Sequence, residues 1–380
     1  MSERMWFKLF YGGLQKKLII NKELIVNNYR IPVYAGDGIG LEVTDEAIKA
    51  LKAVSKKFGF GLDLLDLPWG HRYWKEHGKV VPDDYLKILS DFPAIFLGAI
   101  GDPANVPDHI TIIPLIEMRQ KFDQYASMRP AKLFPGIRTP LADRKPEDID
   151  LVVIRENSEG EYIDAGGFFK TDTEDGVALQ TAIHTRKGVE RIIRFGFEIA
   201  RKRSRKRFTL VTKSNALKFG MVFWDKVLDA VREDYSDISI DKYHVDAMCM
   251  ALVQKPQHFD VIVCSNMFGD ILSDLTGAIA GSIGLAPSSN INPERKYPSL
   301  FEPVHGSAPD IAGKGIANPL AAIRSAAMML DFLGETEASA VIEKVVESCV
   351  TDGKVLTPDL GGKATTSEVG SEVERKILVF

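Results

Sequence analysis

Short apolar runs alternate with longer amphipathic stretches along most of this chain. Arg30-Ile31-Pro32-Val33-Tyr34 reads as a first strand, and the stretch from Leu41 to Phe58 as the helix that follows it. Ala94-Ile95-Phe96-Leu97, Asp150-Leu151-Val152-Val153-Ile154, Phe208-Thr209-Leu210-Val211 and Phe259-Asp260-Val261-Ile262-Val263-Cys264 repeat the strand pattern. The first of these precedes a Gly-rich turn, and the others precede Arg155, Lys213 and Asn266. Apolar strands finished by polar groups predict an α/β fold with ligands at the strand ends. No internal repeat or low-complexity segment breaks the pattern.

Two loops stand out against it. The turn Ala35-Gly36-Asp37-Gly38-Ile39-Gly40 invites a G-x-G-x-x-G reading, but Leu41 stands where the third Gly is needed. It is read as a tight strand-to-helix turn of mainly structural value. The second loop is the Gly/Pro/Ala-rich segment from Phe301 to Pro319. Several of its positions carry little side chain, so backbone amides can approach a ligand closely. A loop this long inside a compact domain is usually functional or disordered. His305, Asp310 and Asn318 favour a bound polar ligand.

Composition narrows the class. The chain has 380 residues, 45% hydrophobic and 26% charged, a globular balance long enough for two domains or one two-lobed one. A net charge of −4 gives no overall support to nucleic-acid binding. The run Arg201-Lys202-Arg203-Ser204-Arg205-Lys206-Arg207 follows the helical stretch Val189 to Ala200 and reads as a solvated helix end. Cys249, Cys264 and Cys349 form no CxxC pair, which fits a reducing, cytoplasmic setting. No apolar run reaches the roughly 18–20 residues that cross a bilayer, and Glu3, Lys8, Lys16 and Lys17 break any signal-peptide pattern.

The polar positions supply candidate chemistry. Asp270 and Asp274 lie i,i+4 after the strand ending at Cys264, with Asn266 placed to cap their helix. Two such carboxylates repel unless a cation bridges them, and all-oxygen ligation suits Mg²⁺ or Mn²⁺. They would equally complement a helix N-terminus. Asp246 adds a third carboxylate. Arg119, Arg129 and Arg155 carry guanidinium forks suited to carboxylates. Tyr162 and Lys213 lie close to these segments. The histidines show no metal-binding spacing; His71 and His77 read as surface or core residues.

Taken together, these segments resemble the β-decarboxylating dehydrogenases, the family of isocitrate, isopropylmalate and tartrate/D-malate enzymes. The resemblance runs from about Tyr29 to the C-terminus. Residues 1–28 are then an N-terminal extension: an added interface element, a tail, or a start assigned too early. The resemblance implies an α/β, two-lobed isopropylmalate dehydrogenase-like fold, distinct from the Rossmann fold, with the active site between the lobes. Residues 29–124 and 282–380 would form an NAD-binding lobe, and 125–281 a substrate, metal and dimerisation lobe.

The resemblance also implies roles. Glu302, His305, Gly306, Ser307, Ala308, Asp310, Ile311 and Asn318 would form the cofactor loop, with His305 packed on the adenine and Asn318 bonding its edge. Asp310 would accept from the adenosine ribose. A carboxylate there repels a 2′-phosphate, so NAD is expected over NADP. Arg119, Arg129 and Arg155 would clamp the substrate carboxylates. Asp246, Asp270 and Asp274 would hold Mg²⁺ or Mn²⁺. A lysine beside a cation can act as base, and Lys213 would do so, with Tyr162 as proton donor. Lys213 and Asp246 would come from the second subunit of a homodimer with shared active sites.

The substrate would be a small 2-hydroxy dicarboxylate. Ile112-Ile113-Pro114-Leu115-Ile116 offers nothing to a third carboxylate, which counts against isocitrate. Val106-Pro107-Asp108-His109-Ile110, Phe122-Asp123-Gln124-Tyr125 and Asn290-Ile291-Asn292-Pro293-Glu294-Arg295 resemble the tartrate/D-malate branch. Asp108 or His109 is expected to meet a hydroxyl on C3. Isopropylmalate is the runner-up, because an apolar wall also accepts an isopropyl group. A ligand-binding regulatory homologue without turnover is the non-enzyme alternative, although it would be expected to have lost Lys213, Tyr162 or a metal Asp.

Overall fold

The computed structural model describes residues 27–380. Most of the N-terminal extension therefore lies outside the described residues. The strands are β1 (Asn28–Gly36), β2 (Gly61–Asp66), β3 (Ala94–Ala99), β4 (Ala126–Lys132), β5 (Asp150–Glu156), β6 (Gly166–Phe169), β7 (Val177–Gln180), β8 (Arg207–Thr212), β9 (Ser239–His244), β10 (Val261–Cys264), β11 (Pro287–Ile291) and β12 (Ser299–Pro303). Ten of them form one mixed sheet in the order β2-β1-β3-β12-β11-β4-β5-β10-β8-β9.

The pairing splits this sheet into two parallel blocks. β2, β1, β3 and β12 run parallel to one another, as do β5, β10, β8 and β9. Between them, β11 and β4 pair antiparallel with each other and with their outer neighbours. Three successive reversals leave the two blocks running in opposite directions. All strands from residues 28–124 and 282–380 fall on one side of the β11–β4 seam, and the rest of the ten on the other.

Strand alternation divides the core. In β1 and β3 the register pairs Val33 with Phe96 and Tyr34 with Leu97. Val33 and Phe96 face a large core shared with the helices Gly40–Phe58 and Leu320–Leu333. Tyr34 and Leu97 face a smaller one with Trp69, Tyr85, Leu115 and Met118. Successive residues point to opposite faces, so a strand covered on both sides reads as continuously apolar.

The glycine turn after β1 is structural. Gly38 sits at φ +55°, and a Cβ there would lie 2.0 Å from the Ser307 carbonyl oxygen. Ile39 N donates to that oxygen at 2.8 Å. The turn thus backs the 301–319 loop.

The basic run differs from its expected solvated state. Its helix ends at Lys202, but Arg201 pairs with Glu198 and Asp237, at 3.1 and 2.8 Å. Arg203 bridges Asp150 at 2.8 Å and the fully buried Asp260. Arg203 thus pins the helix end to the start of β5 and to the residue just ahead of β10. Apart from Glu198 on the same helix, the partners came from segments distant in sequence.

Candidate active site

Strand ends of the second block deliver most of the polar side chains. Arg155 is the penultimate residue of β5 and Lys213 directly follows β8. Asp246 opens the helix Val245–Gln254 after β9, and Asp270 lies in the helix Asn266–Ile279 after β10. Arg129 comes from β4, and Arg119 from the helix Ile113–Lys121 on the other side of the seam. That helix stops before Asp123, whose φ of +44° turns the chain into β4.

A cleft of about 450 Å³ gathers Arg119, Arg129, Arg155, Tyr162, Asp270 and Glu302. All three guanidiniums are buried. Asp270 is the common partner of Arg129 and Arg155: its Oδ1 accepts from Arg129 Nη1 at 3.1 Å and from Arg155 Nη1. Burial opposes ionisation of Asp270, but Arg155 and Arg129 prevail and hold its carboxyl down at about 2. Burial and the Arg129 charge bring Arg155 down to about 9 against the pull of Asp270. Three guanidiniums against Asp270 and Glu302 leave positive charge in excess around the cleft, which suits a multiply charged anion.

The helix carrying Asp270 comes very close to β5. A Cβ on Gly269 would lie 2.5 Å from Arg155 Cβ, so only glycine lets the helix seat there. Asn266 does not cap this helix. Ser265 is the N-cap residue, and Asn266 uses its Oδ1 to accept from Arg155 Nε at 2.9 Å and Nη2 at 2.7 Å. Its Nδ2 donates to the Glu159 carbonyl at 2.8 Å. Capping is the local use of such a residue; here a buried guanidinium from another strand outcompetes it.

Tyr162 donates its hydroxyl to Asp270 Oδ2 at 2.8 Å. Burial and the Asp270 charge push that hydroxyl above its ordinary range, so it keeps its proton. Lys213 and Asp246 form a separate pair, Nζ to Oδ1 at 2.5 Å, on adjacent strand ends and outside the cleft lining. Asp274, one turn beyond Asp270, is exposed. Among the described residues no three His, Cys, Asp or Glu side chains converge as a metal-ligand group. Asp246, Asp270 and Asp274 are thus not brought together within one chain.

The 301–319 loop borders the same cleft through Val304, His305 and Gly306. His305 is buried, its Nδ1 donates to the Gly306 carbonyl at 3.0 Å, and its Nε2 has no partner. Burial holds this imidazole below its usual range, hence neutral. Asp310 is exposed. The Asn318 side chain is already used: Nδ2 donates to Asp359 Oδ2 at 2.9 Å, and Oδ1 accepts from Leu320 N at 3.0 Å. That amide shapes the loop, and contact with a ligand edge would fall to its backbone.

Glu302 has a role that sequence reasoning missed. Its Oε1 accepts from Arg119 Nη2 at 2.9 Å and from Asn290 Nδ2 at 2.7 Å, so it holds the clamp. Asp108 and His109 do not line the cleft, and both are exposed on a short helix. Ile112, Leu115 and Ile116 line it instead, an apolar wall beside Arg119.

Comparison with known proteins gives consistent results. The family described as isocitrate/isopropylmalate dehydrogenase matches residues 30–373. D-malate dehydrogenase [decarboxylating] of Escherichia coli (strain K12) is 48% identical over 361 residues, covering 93% of this chain and all of that one. Tartrate dehydrogenase/decarboxylase of Pseudomonas putida is 48% identical, covering 91% and 97%. The crystal structure of isocitrate dehydrogenase from Methylococcus capsulatus superposes with a TM-score of 0.83 at 38% identity, covering 92% of this chain and 99% of that one.

Proposed function

The chain belongs to the isocitrate/isopropylmalate dehydrogenase family, and we propose that it oxidatively decarboxylates a 2-hydroxy dicarboxylate, D-malate or a tartrate, using NAD and Mg²⁺ or Mn²⁺. The observation that carries this reading is the convergence of three buried guanidiniums and a strongly acidic Asp270 on one cleft.

The residues fit the two bound groups to different degrees. For NAD, the unpartnered Nε2 of buried His305 and the exposed carboxylate of Asp310 suit a nucleoside. Open space beside Gly306 leaves room for it. For the cation, one chain supplies Asp270 and Asp274 from one helix face, and Asp246 of a second copy would complete the set. When bound, NAD accepts the C2 hydride and the cation polarises the C2 oxygen.

The protein's own groups do the rest. Arg119, Arg129 and Arg155 fork the two carboxylates and fix C2. Lys213 of the second copy takes the hydroxyl proton. Tyr162, protonated and aimed at the cleft beside Asp270, returns a proton to the carbon that loses CO₂.

The homodimer is supported by exposed apolar surface. The two-stranded hairpin of β6 and β7 exposes Phe168 at 80% and Leu179 at 66%. An isolated hairpin is marginal in water, so a second copy would cover it. Phe219, at 81%, and Met250, at 56%, extend exposed apolar surface around the Lys213–Asp246 pair. In this reading the block on the β3 side of the seam binds NAD and the other block forms the dimer. Three free cysteines suit the cytoplasm. No helix among the described residues is long and apolar enough to cross a membrane.

The wall of Ile112, Leu115 and Ile116 refines the substrate. D-malate has only hydrogen on C3 and loses nothing there, whereas a tartrate hydroxyl would face apolar groups. The same wall favours 3-isopropylmalate as a second reading. A panel of D-malate, tartrates, 3-isopropylmalate and isocitrate with NAD and Mn²⁺ tests this. D-malate is expected to lead, tartrate and isopropylmalate to follow, and isocitrate to fail. A preference for isopropylmalate beyond about a hundredfold would give the site to the second reading, since an apolar contact alone supplies less.

A further inference from the structure

A line of buried amides runs behind the cleft from one half of the sheet to the other. Asn290 lies in β11 and is fully buried. Ser288 pairs with Glu302 across β11 and β12, so Asn290, two residues on, shares a face with that carboxylate. Its Nδ2 donates to Glu302 Oε1 at 2.7 Å. Its Oδ1 accepts from Asn157 Nδ2 at 2.9 Å. Asn157 lies two residues beyond Arg155, and its Nδ2 also reaches the Gln124 carbonyl at 3.2 Å. The line ends at Arg119, whose Nη2 donates to the same Glu302 Oε1 at 2.9 Å. Arg119 Nε is buried without a partner.

We propose that Asn290 is a positioning residue that sets the fork of Arg119 through Glu302, with Asn157 registering that setting against the strand of Arg155. The reason lies in how carboxylates and guanidiniums pair. Left alone, a carboxylate takes an arginine bidentately through two nitrogens. Here the Asn290 amide shares Oε1 and fixes the rotation of Glu302, so a single nitrogen of Arg119 is engaged. The rest of the fork stays available to a substrate carboxylate. Because Asn157 belongs to the Arg155 side of the seam, the line also fixes the spacing between two clamp arginines from different blocks.

This rests on the proposed activity, and the experiment separates the two. Substrate KM, kcat and NAD affinity are measured for the native protein, Arg119→Lys, Asn290→Ala, Asn290→Ser, Asn157→Ala and the double variant Arg119→Lys/Asn290→Ala. Native protein that turns over none of the 2-hydroxy acids ends the activity reading itself. With turnover established, Asn290→Ala is expected to raise the substrate KM about ten- to a hundredfold, the worth of a hydrogen bond to a charged group. NAD affinity, read by fluorescence titration, should stay within about twofold. Asn290→Ser and Asn157→Ala should move KM the same way by less, and they carry the test if Asn290→Ala does not fold. In the Arg119→Lys background the Asn290 substitution should add less than about twofold, because both act through one contact. An unchanged substrate KM with only a lower Tm would overturn the inference. So would a full KM effect that persists without the native arginine.

Discussion

Asp310 is the side chain proposed to select the cofactor. It stands exposed on the loop bordering the cleft. A carboxylate accepts two ribose hydroxyls but repels a 2′-phosphate. Native protein is therefore expected to prefer NAD strongly, and Asp310→Ala to lower kcat/KM for NAD about ten- to a hundredfold while kcat/KM for NADP rises, since the repulsion is gone. Kinetics with both cofactors check this; equal native values would remove Asp310 from the role. Tyr162 makes a second case. Burial and Asp270 keep its hydroxyl protonated, as a donor requires. Tyr162→Phe should leave first-turnover NAD reduction visible while slowing release of protonated product by about 10²–10⁴-fold. A rapid-quench comparison of the two steps would expose equal slowing of both, which would put the proton elsewhere. At this scale the charged residues were legible in sequence because their types announce their chemistry. Asn266, Asn290 and Glu302 were not. Each has a partner far along the chain, 111, 133 and 183 residues away, and no local rule reaches that far.

The helix Asn266–Ile279 is the element on which the site turns. Its early residues hold Arg155 and its second turn carries Asp270, while Gly269 lets it approach β5. Asp274 extends the same face into solvent. Its period was readable from the carboxylate spacing, and so were the strands, since fully buried strands announce themselves as unbroken apolar runs. What lay beyond the local pattern was the helix's closeness to β5 and the side that Asp108 and His109 would face. Both depend on how separate segments pack. The element-scale prediction concerns the cation. Two carboxylates from this helix provide an incomplete shell, so binding should be labile and removable. Chelator-treated protein is expected to lose turnover and regain it with Mn²⁺. Asp274→Asn should raise the Mn²⁺ concentration needed for half-recovery while leaving NAD binding unchanged. Full activity in excess chelator would rule the cation out.

For the molecule as a whole, the decisive fact is a separation. The cleft holds Arg119, Arg129, Arg155, Tyr162 and Asp270, whereas Lys213 and Asp246 form their own exposed pair outside it. In the proposed reaction the base Lys213 would have to come from a second copy, and the exposed Phe168, Leu179, Phe219 and Met250 mark surface that such a copy could cover. The proposed closed two-fold dimer would place the same pair of one subunit against the cleft of the other, twice. That arrangement has a consequence no single-chain site shares. In the proposed dimer Lys213→Met would remove the base that a subunit gives away, and Arg155→Ala would spoil the cleft that it keeps. Each variant alone should be inactive. A mixed dimer of the two has one cleft with both defects and one with neither. Random exchange yields heterodimers for half of all dimers, each with one sound site, so mixing should restore about a quarter of native activity. Differently tagged variants, exchanged and repurified through both tags, should reach about half of native activity per dimer. Doubly tagged dimers that form in good yield yet remain inactive would show that each subunit completes its own site.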